Sequence, residues 1–349
     1  MTLSKEDIKK IVEGSYLKAD YKFEYPPVCL EISGQYGNQI FATLGNFSTI
    51  LAPPKVGKTT ATGIIAGALL TGNKLSNFIP SLPENKKVIV WIDTEQGKPE
   101  CIKTIQSICN QTTGNKTDHP ENLKFLSLRK YGKDIRLEVI EYVIDNTPNI
   151  GFLVIDGVRD LVSSINNEIE ATIIADKLLK WTQEADIHIL TILHQNKGDA
   201  NARGHLGTEL MNKAETVASL SRGDNNGTRT TIIEPKFTRH KEFEPFAFTI
   251  DDDGIVSETE IKQGFEPKSP KANELTFIEI TEILKQVFTN GECYKFSSLQ
   301  NKFYQVCHKN MFESFGMNKC SDLVKKLNLE RYIIQKEGST DYIFNKYPT

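Results

Sequence analysis

The chain has 349 residues, enough for one large core and a smaller domain, since single cores stop growing at about 250 to 300 residues. It is 39% hydrophobic and 25% charged with a formal net charge of −3, a globular composition with no overall positive charge to draw it to nucleic acid. No apolar run reaches the roughly 18 residues of a membrane span, and the opening "MTLSKEDIKKIVEG" lacks an apolar signal segment, so a cytoplasmic protein with no membrane partner is expected.

Residues 1–27 read as an N-terminal arm. From there to residue 261 the apolar runs "FSTIL", "KVIVWID", "LKFLSL", "GFLVID" and "IHILTILH" alternate with helical "TTATGIIAGALLTG", "IRLEVIEYVIDN" and "EIEATIIADKLLKWTQEA". Strands that are apolar throughout and alternate with helices predict an α/β fold, a mostly parallel sheet covered on both faces. Ligands then gather at the carboxyl ends of the strands. "TIIEPKFTRHKEFEPFAFTIDDDGIV" reads as further strands at a sheet edge. "KQGFEPKSPKAN", residues 262–273, reads as a linker. Residues 274–349 hold three helix candidates (274–289, 297–308 and 317–328) and a hairpin in "RYIIQKEGSTDYIFN", the pattern of a small winged-helix domain. Its aromatic residues Phe296, Phe303, Tyr304, Phe312 and Phe315 read as core. The six cysteines form no CxxC pair, which predicts reduced, mostly buried thiols and no zinc ribbon.

"LAPPKVGKTT" places Ala52, Pro53, Pro54, Lys55, Val56, Gly57, Lys58, Thr59 and Thr60 between a strand and a helix. This is a phosphate-loop pattern with alanine and two prolines where glycine is usual. Backbone N–H groups at the helix start would cradle the phosphates of ATP, with Lys58 on the β and γ phosphates and the Thr59 hydroxyl on Mg²⁺. The prolines remove donors only early in the loop. A metal-binding acid is expected at the end of a later strand, and "GFLVID" supplies Asp156. Gly157 follows it, so a general base must come from elsewhere, and Glu95 in "KVIVWIDTEQG" is the candidate. Asp93 reads as structural.

"LAPPKVGKTT", "VIVWIDTEQG", "FLVIDGVRDL" and "ILTILHQNKG", in this order, resemble the RecA-like ATPase core. The branch is that of plasmid-type hexameric replicative helicases and related ATPases of mobile elements, and the resemblance spans residues 28–256. It implies an ATP-hydrolysing motor acting on single-stranded DNA in replication or transfer of a mobile element, assembled as a homo-oligomeric ring. It implies that His194 senses the γ-phosphate, with Gln195 as the fallback. It implies that Lys197 and Arg203, in the polar loop "NKGDANARGHLGTEL" that passes into helical "TELMNKAETVA", follow the DNA backbone. It implies that Lys236 and Arg239 of "PKFTRHKEF" reach the γ-phosphate held by the next subunit. In the winged-helix reading, Lys319, Lys325 and Lys326 of the third helix touch DNA phosphates, although 12 basic against 10 acidic residues over 266–349 suits a protein partner equally. Two other classes stay open: an ATP-switched DNA-binding or assembly protein that moves no strand, and a recombinase-like filament former.

Overall fold

A computed structural model describes residues 3–20, 22–35, 37–195, 204–225, 228–251, 256–261, 277–289, 292–310, 317–336 and 338–345. Two units separate, Met1–Ile261 and Lys262–Thr349. In chain order the first runs α1 (Lys5–Ser15), β1 (Val28–Ile32), β2 (Gln39–Thr43), β3 (Phe47–Ala52), α2 (Lys58–Thr71), β4 (Phe78–Pro80), β5 (Val88–Asp93) and α3 (Lys98–Thr113). It continues with β6 (Leu123–Ser127), α4 (Lys133–Asn146), β7 (Ile150–Asp156), a 3-10 turn (Val158–Leu161), α5 (Glu168–Ala185), β8 (His188–His194) and α6 (Gly204–Lys213). The antiparallel end comprises β9 (Thr216–Asn225), β10 (Thr228–Thr238), β11 (Phe246–Ile250) and β12 (Val256–Thr259).

Among the described residues, nine of these strands form one sheet in the order β12-β11-β10-β9-β3-β8-β7-β5-β6. The six from β9 to β6 are parallel, and β10, β11 and β12 add antiparallel to one side. The fold is therefore α/β with a mostly parallel sheet. Parallel strands are buried on both faces, which is why every residue of β3 and β7 is buried. Ile64, Ile65 and Leu69 of α2 meet Trp91 and Phe152 on one face, while Ile140, Ile174, Leu178 and Leu206 meet Phe47, Leu51 and Ile155 on the other. A second sheet, β2-β1-β4, lays Leu30, Ile32, Phe41 and Phe78 onto the α2 side. α1 starts with a Ser4–Asp7 capping box and buries none of its residues.

The helix expected through "TELMNKAETVA" ends earlier. α6 starts at Gly204 and stops at Lys213, and Thr216 already belongs to β9. Buried Glu215 accounts for the change of course: its carboxylate accepts from the N–H and hydroxyl of Thr43 at 2.9 and 2.6 Å, and from His240 Nε2 at 2.9 Å. Those partners are tertiary, and they outweigh local helix propensity. α3 and the β2-β1-β4 sheet were not anticipated.

The second unit contains α7 (Phe277–Val287), β13 (Tyr294–Lys295), α8 (Phe296–Asn310), α9 (Met317–Leu329), β14 (Ile333–Gln335) and β15 (Asp341–Phe344). Its strands order as β13-β15-β14, over a core of Ile283, Leu299, Phe303, Leu323 and Leu327. Phe303 is fully buried and Tyr304 packs against this core, whereas Phe296 is partly exposed beside Tyr342; Phe312, Phe315 and the segment 262–273 lie outside the described residues. Among the described residues no helix is long and apolar enough to cross a membrane.

Candidate nucleotide site

β3 delivers Ala52 to the carboxyl edge of the sheet, and Pro53 to Gly57 turn the chain into α2. The turn needs two left-handed residues, Lys55 at φ 66° and Gly57 at φ 92°. Gly57 is tight as well, because a Cβ there would come within 3.1 Å of Thr231 Oγ1. The α2 N-terminus has no side-chain cap and no acid in its first turn, so the backbone donors of Lys58, Thr59 and Thr60 face the space above the loop without an internal anion. A helix N-terminus in this state is suited to phosphate.

Strand register assembles the rest. Ala52 pairs with His194, Ile192 with Asp156, and Asp156 with Asp93, so the ends of β3, β8, β7 and β5 lie side by side. Thr59 Oγ1 donates to Asp156 Oδ2 at 3.1 Å. Gln96 Nε2 donates to Asp93 Oδ2 at 2.8 Å and lies 3.3 Å from Thr59 Oγ1 and 3.4 Å from Asp156 Oδ2. Burial, reinforced by the neighbouring Asp93, pushes Asp156 up to about 7. Burial also raises Asp93, even though its Oδ1 accepts the N–H groups of Gln96 at 2.7 Å and Glu95 at 3.0 Å. Asp93 thus builds the turn on which Glu95 and Gln96 ride.

Mg²⁺ fits this donor set. Thr59 and Asp156 offer hard oxygens beside the phosphate loop, and a carboxylate whose ionisation is made harder by burial and by a second acid gains from a divalent charge. Among the described residues no cluster of three or more His, Cys, Asp or Glu could hold a metal ion.

Lys58, His194 and Glu95 form a line. Lys58 Nζ is 2.9 Å from His194 Nδ1 and 3.3 Å from Nε2, and His194 Nε2 is 3.5 Å from Glu95 Oε1. With Lys58 donating to Nδ1, the proton of a neutral ring sits on Nε2 and faces the carboxylate. The His194 hydrogen bond holds Glu95 below the usual carboxylate range. Burial lowers Lys58, opposed by the charges of Glu95 and Asp156. Glu95 itself is exposed to solvent. Gln195 donates its backbone N–H to Ala52 O at 3.1 Å.

Gly157 has a steric origin. It sits at φ 102° and a Cβ would run into Thr94 Oγ1, which donates to Gly157 O at 2.9 Å. A side chain there would have to displace Thr94, so a carboxylate directly after Asp156 is disfavoured. Beside Thr59 a cavity of about 280 Å³ lies between α2 and α3, lined by Thr60, Gly63, Gln96, Glu100 and Lys103. Sequence reasoning missed Gln96 and Thr94, although both stand inside the quoted "DTEQG".

The remaining candidates lie apart from this edge. β10 runs antiparallel with Thr238 opposite Thr216, so Arg239 sits at the amino-terminal edge of the parallel strands, away from its own phosphate loop. It is exposed, and its Nη2 donates to Lys213 O at 2.9 Å. The ammonium of Lys236 is buried instead of presented at the surface. Lys325 pairs with Asp322 at 3.7 Å and Lys326 with Glu330 at 4.0 Å along α9, while Lys319 is partly buried on the same helix. Lys197 and Arg203 lie outside the described residues.

A family described as "AAA domain" matches residues 39–200, a stretch shorter than half of the chain that holds Lys58, Thr59, Glu95, Asp156 and His194. Among solved structures, the crystal structure of the RadB recombinase is similar at a TM-score of 0.44 and 16% identity, covering 63% of this chain and 93% of that one. No curated protein matches the sequence.

Proposed function

We infer that the chain is a magnesium-dependent RecA-like ATPase that works as a helicase-type motor on single-stranded DNA, assembled as a homo-oligomeric ring. The line Lys58–His194–Glu95 beside the Thr59–Asp156 pair carries this reading. The loop Ala52–Thr60 holds the ATP phosphates, with Lys58 facing the β and γ groups. Thr59 and Asp156 would hold Mg²⁺, whose positive charge would offset charge on the transferred phosphoryl group. Glu95, kept ionised and open to solvent, orients the attacking water. His194 touches the lysine that faces phosphate and the carboxylate that faces water, and its strand leads into the segment 196–203 with Lys197 and Arg203. Loss of the γ-phosphate therefore changes a hydrogen-bond chain at the root of that segment. Arg239, exposed and far from its own loop, suits a role in the neighbouring subunit's site. The second unit, read as winged-helix-like, supplies Lys319, Lys325 and Lys326 to DNA or a protein partner.

The test is steady-state ATP turnover with and without single-stranded DNA, alongside strand displacement on a forked duplex. Stimulation by DNA with displacement is expected. Tight ATP binding without turnover replaces the motor with a nucleotide switch, and turnover indifferent to DNA overturns the DNA motor.

A further inference from the structure

We propose that Arg136 is a positioning residue for the Glu95 turn, gripping the backbone that carries the base; its catalytic meaning rests on the ATPase reading above. Arg136 lies in the first turn of α4, where its guanidinium meets the ends of three strands. Nε donates to Leu128 O at 3.3 Å, Nη1 to Asp160 O at 2.9 Å, and Nη2 to Thr94 O at 3.2 Å and Arg129 O at 3.0 Å. All four are backbone carbonyls, from the segments that follow β5, β6 and β7. A rigid fork of five donors reaches such a set, and a lysine ammonium with three does not.

The grip falls on one peptide in particular. Thr94 is the residue before Glu95, and its other groups are already tied to β7 and the turn after it: its N–H donates to Asp156 O at 3.0 Å and its hydroxyl lies 3.2 Å from Asp160 Oδ2. Asp93 holds the far side of the turn through the N–H groups of Glu95 and Gln96. Arg136 thus closes a clamp that sets the distance between the base and the metal-binding strand. α4 does not need it for docking, because Ile140 and Ile144 bury that helix.

The experiment uses the full chain with Arg136→Met and Arg136→Lys, and reads nucleotide affinity, turnover and amide hydrogen exchange. Affinity should stay near wild type, since the phosphate loop is untouched, while turnover falls by about 10²-fold in Arg136→Met, the scale of a 1 Å misplacement, and by less in Arg136→Lys. The amides of Glu95 and Gln96 should exchange faster in both variants, with α2 unchanged. Unaltered exchange at those two amides, or a loss of protection spread evenly over the sheet, overturns the clamp. If Arg136→Met does not fold, Arg136→Lys decides by the same readings. A wild-type protein that hydrolyses no ATP overturns the ATPase reading, and the exchange measurement still decides whether Arg136 holds the turn.

Discussion

Lys58 Nζ and His194 Nδ1 lie 2.9 Å apart, joined by register because Ala52 at the end of β3 pairs with His194 at the end of β8. The lysine that would face phosphate is therefore held by the last residue of β8. His194→Ala should keep ATP binding and lose the part of turnover that DNA stimulates. His194→Gln should keep more of it, since an amide can accept from Lys58 and donate to Glu95. Nucleotide titration with turnover measured against DNA concentration checks this, and full stimulation in His194→Ala would remove the sensor role.

Glu95→Gln should bind ATP normally and hydrolyse it about 10²- to 10⁴-fold more slowly, the usual loss for a general base. Single-turnover kinetics after rapid mixing separates this from slow release. Wild-type turnover would place the base elsewhere, and Gly157 offers none next to Asp156.

Asp156 couples stability to pH. Its folded-state value of about 7 stands above the roughly 3.9 of an unfolded aspartate, so between these values the folded protein binds more protons and stability falls as pH rises. Asp156→Asn should therefore be more stable than wild type without nucleotide, by a margin that widens from about pH 4 to about pH 7 and is level above. Urea denaturation across that range measures it. A margin independent of pH would show that Asp156 titrates normally.

Gly157→Ala should lower stability by at least about 2 kcal/mol, from a left-handed backbone and a contact with Thr94 Oγ1. Combining it with Thr94→Ala should recover the contact part and leave the backbone part. Denaturation midpoints that match wild type in the single variant would contradict the close approach of these strands.

Arg239→Ala should retain ATP binding and lose nearly all hydrolysis, since a cation reaching a neighbouring site is worth about 10³ to 10⁵ in rate. Mixing it with Lys58→Ala protein should restore part of the activity through interfaces that pair one intact loop with one intact arginine. Normal turnover in Arg239→Ala, or in an isolated monomer, would end the ring reading.

The elements that position the site were legible because parallel strands are written as unbroken apolar runs, each ending in the polar residue it delivers to the edge: Asp93, Asp156 and His194 stand at the ends of their runs. The loop from Ala52 to Thr59 could be read from spacing alone. What escaped was set by pairing between distant strands. Nothing near Gly157 announces Thr94, nothing near Gln96 announces Thr59, and Arg239 could not be assigned to the far edge without the antiparallel register of β9 and β10. The end of α6 was missed for a similar reason, because Glu215 answers to Thr43 and His240 and not to local helix propensity.

The place of β3 between β8 and β9 orders events during synthesis. Its phosphate loop leaves the ribosome early, yet both flanking strands are encoded more than a hundred residues later, as the 2.8 Å contact between Thr49 and Thr191 illustrates. Until residue 194 emerges, the buried strand β3 waits without either flanking partner, and its second partner comes only with residues near 217. Such non-local pairing slows folding and exposes the intermediate to aggregation. A truncation between β8 and β9 therefore keeps the whole phosphate-loop motif and leaves one edge of β3 without its partner strand.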